Sequence, residues 1–101
     1  MDATVTAEGA RAVINIEGRF DFNRHREFRG ACEKALTQSG VREVEVNFSR
    51  VDYIDSSALG MLLMLRDTAS AGNKTVKLCN CQSNVKQILD IANFGKLFAI
   101  S

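Results

Sequence analysis

The chain has no proline, a single histidine (His25), and no apolar run long enough to cross a bilayer. Without proline, glycines and polar clusters must do all the punctuation. The three cysteines, Cys32, Cys79 and Cys81, are odd in number and do not form a disulfide framework. Cys79 and Cys81 make a C-x-C pair, but one histidine and no second cysteine pair leave little to complete a metal site. The pair reads as structural, two thiols sharing one face of a strand. His25 lies between Arg24 and Arg26 on a polar helix start and reads as a solvated surface residue rather than a general base. A phosphate-binding loop, a dinucleotide fingerprint and a nucleophile elbow are all missing, so neither enzymatic activity nor a cofactor is expected. The net charge is only +1, with both signs mixed along the chain, and there is no basic stripe for nucleic acid. The N-terminus lacks a basic region followed by an apolar one, and the chain reads as cytoplasmic with no membrane partner.

What is present is ordinary for a globular protein. The 101 residues are 46% hydrophobic and 25% charged, which fits one compact domain over residues 1–101. Residues 3–7 and 11–18 alternate, with Ala12, Ile14 and Ile16 on one face, and Glu8-Gly9-Ala10 between them marks a β-hairpin. Residues 23–38 switch to helical spacing through Phe28, Cys32, Ala35 and Leu36, with Asn23 as the expected cap and Gly40 after the end. Val44, Val46 and Phe48 then alternate as a strand. A helix over 56–71 closed by Gly72, a strand over 75–79, a short helix over 83–92 and a last strand from Leu97 to Ile100 complete the pattern. The order β-β-α-β-α-β-α-β predicts an α/β fold. Its mixed sheet has about four to five strands, one face solvated and the other covered by helices.

The segment Asp55-Ser56-Ser57-Ala58-Leu59-Gly60 sits where a strand hands over to a helix. Free backbone N–H groups and a partial positive charge gather there, and either Asp55 or Ser56 can cap them. Along the helix, Ala58, Leu62, Leu65 and Ala69 supply the stripe that a sheet requires, supported by Leu59. Met61 and Met64 then fall on the outward side, the alternative being that both reach sideways into the core. Outward methionines beside a capped helix start point to a protein-binding surface, because methionine repacks easily. A phosphate on Ser56 would add roughly −1.5 to −2 charges at neutral pH, tolerated by its own helix but not by a partner packed against that face.

These residues resemble the D-S-S-G-L-G signature of bacterial anti-sigma factor antagonists, which are STAS domains. Gly18-Arg19-Phe20-Asp21 is similar to that family's G-x-hydrophobic-D, and Val85 to Ile100 to its closing helix and strand. The resemblance implies that Ser56 is the phosphoacceptor. It further implies a cycle in which the unphosphorylated form binds an anti-sigma factor with serine kinase activity, phosphorylation breaks the complex, and a PP2C-type phosphatase restores it. The expected partner-binding residues are Asp21, Asp55, Ser56, Ser57, Ala58, Gly60, Met61 and Met64. Ala58 departs from the family pattern, in which a glycine stands there. A second reading keeps the STAS fold but makes it a constitutive assembly subunit, for example of a lipid-transport or stress-signalling complex, with no phosphate on Ser56.

Overall fold

The computed structural model describes residues 3–101. Strands β1 (Ala3–Glu8) and β2 (Arg11–Phe20) form an antiparallel hairpin. Its two-residue turn has Gly9 at φ +59°, the conformation that a glycine-first hairpin turn requires. After a 3-10 turn at Phe22–Arg24 come α1 (His25–Leu36), β3 (Glu43–Ile54), α2 (Ser56–Ala71), β4 (Thr75–Cys79), α3 (Ser83–Ile91), a second 3-10 turn at Phe94–Lys96, and β5 (Ala99–Ile100). The sheet runs in sequence order, β1-β2-β3-β4-β5, with every pair after the hairpin parallel.

One continuous core joins the sheet to all three helices. Ile14, Val44, Val46, Phe48 and Leu78 point from the strands toward Phe28 and Ala35 of α1, Leu62 and Leu65 of α2, and Val85 and Leu89 of α3. Phe20 stands at its centre, with ring centroids 4.8 Å from Phe28 and 6.1 Å from Phe48, so β2, α1 and β3 meet on one aromatic cluster. The opposite sheet face is polar. There Asn47 of β3 donates to Asn15 Oδ1 of β2 at 2.9 Å and accepts from Asn80 Nδ2 at 3.1 Å.

Several local expectations are corrected. Asn23 does not cap α1. Asp21 caps the 3-10 turn that precedes it, accepting from the Asn23 amide at 3.1 Å, and α1 itself begins at His25 without a side-chain cap. The last strand is only Ala99–Ile100, because Phe94–Lys96 turns and Phe98 is drawn into the core. Cys79 and Cys81 do not share a strand. Cys79 ends β4, Asn80 turns with φ +59°, and Cys81 packs against the core beyond it. Burial pushes the Cys32 thiol up to about 12, and burial with the neighbouring Cys79 pushes Cys81 up to about 11, so both are protonated at neutral pH.

Strand β3 is much longer than its alternation indicates. It outruns β4, whose last residue pairs with Asn47, so residues 48–54 have β2 on one side only. Side chains at the start of α3 take over on the open side. Gln82 Nε2 donates to the Ser49 carbonyl at 3.1 Å and Asn84 Nδ2 to the Asp52 carbonyl at 2.8 Å. The end of β3 is thereby held firmly where it passes into α2.

Candidate functional site

Asp55 organises the junction. Its backbone is extended (φ −115°, ψ −179°), and its Oδ1 accepts the Ala58 amide at 2.9 Å, closing the first turn of α2. Its Oδ2 accepts the Phe22 amide at 3.3 Å, and its own amide donates to the Phe20 carbonyl at 3.3 Å. One carboxylate therefore fastens the start of α2 to the β2–α1 connection. Asp21 stands in that connection, half-buried, with Oδ2 3.6 Å from Arg19 Nε. Arg19 in turn lies over the Tyr53 ring, 4.4 Å from its centroid.

Because Asp55 does the capping, Ser56 is left free. It is exposed, occupies the first helical position, and makes no side-chain hydrogen bond among the described residues. Gly60 and Met64 follow at one-turn steps on the same exposed stripe, and Met64 is 53% accessible. Ser57 is half-buried.

Two of the expected contact residues are excluded from that surface. Ala58 is fully buried, its methyl turned into the core, so its replacement of glycine bears on packing rather than on a partner's approach. Met61 is 6% exposed. The two methionines neither both face outward nor both reach inward. Helix α2 packs against α1 as well as the sheet, and this second contact widens its buried arc to include position 61. Between the helices lies a groove of about 270 Å³, where Met61 forms the floor with Phe28 and Leu65, and Met64, His25 and Arg29 also line it.

Replacing Asp55 by alanine removes the cap. The expected cost is about 1 kcal/mol, or a fall of about 4–8 °C in melting temperature for a domain of this size. Asp55→Asn should recover most of it, since asparagine caps comparably. Thermal melts followed by circular dichroism check this, and an unchanged midpoint for Asp55→Ala would show the cap to be dispensable.

Among the described residues no cluster of histidine, cysteine or carboxylate could hold a metal ion, and no helix is long and apolar enough to cross a membrane. Residues 3–99 match the family model described as "Mlab, STAS domain". A STAS-domain containing protein of Pseudomonas aeruginosa (strain UCBPP-PA14) is 47% identical over 100 residues, covering 98% of this chain and 96% of that protein. Among solved structures, the anti-sigma factor antagonist SpoIIAA in its unphosphorylated form is similar with a TM-score of 0.74 at 21% identity, covering 98% of this chain and 86% of that one. An anti-sigma factor antagonist from Mycobacterium paratuberculosis superposes with a TM-score of 0.84 at 13% identity, covering 97% and 82%. The sheet order, the strand-to-helix junction at Asp55 and the family match over nearly the whole length agree: the chain belongs to the STAS domain family.

Proposed function

We propose that this domain is an anti-sigma factor antagonist, a non-enzymatic cytoplasmic switch whose partner binding is set by phosphorylation of Ser56. The observation that carries the reading is the division of labour at the α2 start. Asp55 holds the cap, and the Ser56 hydroxyl stands exposed with no structural duty. The fold of SpoIIAA, solved in unphosphorylated and phosphorylated forms, supports it. In this reading the unphosphorylated domain binds an anti-sigma factor with serine kinase activity and releases the sigma factor. Phosphate on Ser56 ends the complex, and a PP2C-type phosphatase restores it. Mass spectrometry of the protein from its source cells, with peptide mapping across residues 51–66, tests the premise. Phosphate on a fraction of Ser56 is expected. Its absence under every growth condition would favour the constitutive assembly subunit.

Gly60 adds a second mark of an interface. It is exposed in the body of α2, where glycine destabilises a helix by roughly 0.5–1 kcal/mol relative to alanine. A Cβ there would meet nothing within 4 Å, so the fold itself has no need of glycine. A partner backbone approaching the stripe between Ser56 and Met64 would need it. Gly60→Ala is expected to raise the melting temperature by a few degrees while weakening the partner complex. A variant that gains stability and binds as before would remove Gly60 from the interface.

A further inference from the structure

The most exposed aromatic side chain of the described residues is that of Phe22, whose amide is held by Asp55, the residue before Ser56. Phe22 is 69% accessible, yet its backbone is tightly held. Its amide donates to Asp55 Oδ2, the next amide donates to Asp21 Oδ1, and the Arg24 amide closes the turn on the Asp21 carbonyl at 2.9 Å. Its ring stacks on that of His25, 6.4 Å between centroids and 25° between planes. His25 also lines the groove that Met64 borders, so Phe22 adjoins one end of that groove through its ring contact with His25. Arg24 and Arg26 flank His25 in the chain and form no ion pair among the described residues, Arg24 Nε donating instead to the Arg19 carbonyl at 3.2 Å. Arg29 is matched by Glu33 at 3.8 Å and Asp21 by Arg19, so against these two arginines stands one carboxylate without an ion pair, the exposed Glu27, and the local balance is positive.

We infer that Phe22 is the aromatic anchor of the partner interface, and that its partner is a folded protein presenting an apolar pocket rimmed by carboxylates. The inference rests on the proposed reading of Ser56 and specifies what that reading leaves open. An exposed aromatic carried on a backbone already fixed before binding loses less freedom on association, which is how a few side chains come to dominate an interface. Arg24 and Arg26, neither of them in an ion pair, supply the complement for an acidic rim. The same rim explains the direction of the switch. Asp55 joins Phe22 and Ser56, so a phosphate on Ser56 faces the carboxylates that the arginines attract.

The test places the photo-crosslinking residue p-benzoylphenylalanine at position 22, and in parallel at the exposed position 64, in the full chain expressed in its source cells. Both positions are expected to capture the same protein, and Ser56→Asp to abolish both adducts. With that protein purified, Phe22→Ala should bind about thirty-fold more weakly at an unchanged melting temperature. Arg24→Gln combined with Arg26→Gln should flatten the salt dependence of binding. Capture from position 64 alone, or full affinity of Phe22→Ala, overturns the anchor and leaves the phosphorylation reading standing. Capture at position 22 of a second copy of this chain overturns it in favour of a dimer contact. Capture from neither position removes both.

Discussion

Met61→Asp is expected to unfold the domain or bring it close to unfolding, while Met64→Asp leaves it folded. Removing the buried methionine side chain costs about 2–5 kcal/mol from lost packing alone. The aspartate carboxylate is too short to follow the groove out to water, and an unpaired buried charge adds several kcal/mol more unless it takes up a proton. A domain of this length has only about 5–15 kcal/mol to lose. At position 64 the same change falls on a side chain that is 53% exposed, and its effect on stability should stay under about 1 kcal/mol. Urea titration of both variants separates them. A Met61→Asp midpoint equal to that of the parent protein would mean that α1 and α2 do not close over this residue. Met64→Asp should instead lose partner affinity, since it introduces a charge on the exposed stripe two helical turns from Ser56.

Ser56→Asp should move two measurements in opposite directions. A negative charge at the first helical position interacts favourably with the helix start, by about 0.3–1 kcal/mol. The melting temperature should therefore hold or rise slightly. Partner affinity should fall by about a hundredfold or more, which is roughly 2.7 kcal/mol, because the carboxylate is desolvated against a surface that already faces Asp55. Ser56→Ala should bind as the parent does and be insensitive to kinase. Isothermal titration with the captured partner, beside thermal melts, gives both readouts. Undiminished binding by Ser56→Asp would sink the switch. A loss of binding accompanied by a loss of stability would assign the effect to the fold.

The order of elements was legible in the sequence because each has a clean period. Ala12, Ile14 and Ile16, or Val44, Val46 and Phe48, can only form one face of a strand, and all six are buried. The reading stopped where the period did. After Phe48, Ser49 and Arg50 are both exposed, and the buried positions resume at Val51 and Ile54, three apart. Register shifts between β2 and β3 fall in this same stretch, at Asn15/Glu17 and Gly18/Arg19. Alternation could not show that the strand continues to the site.

The polar half of the site, Asp55 and Ser56, was visible because capping chemistry is local. The apolar half was not. Met61 is buried by a helix some thirty residues away in sequence, a contact that no periodicity within α2 reports. Phe22 looks like any core phenylalanine in the sequence, and only its accessibility distinguishes it from Phe20 and Phe28.

The asparagine row on the open sheet face has a consequence for alignment of the strands. Parallel strands buried on one face are kept in step mainly by their apolar residues. Here Asn47 adds a second constraint. Its Nδ2 is given to Asn15, and its Oδ1 receives both Asn80 Nδ2 and the Ser49 amide, at 3.1 and 3.0 Å. Sliding β3 by one residue would carry this amide into the hydrocarbon interior and leave its partners unmatched. Strands β2 and β3, and the turn that ends β4, are thus held to one offset from both faces of the sheet, and the end of β3 delivers Asp55 and Ser56 to the same place.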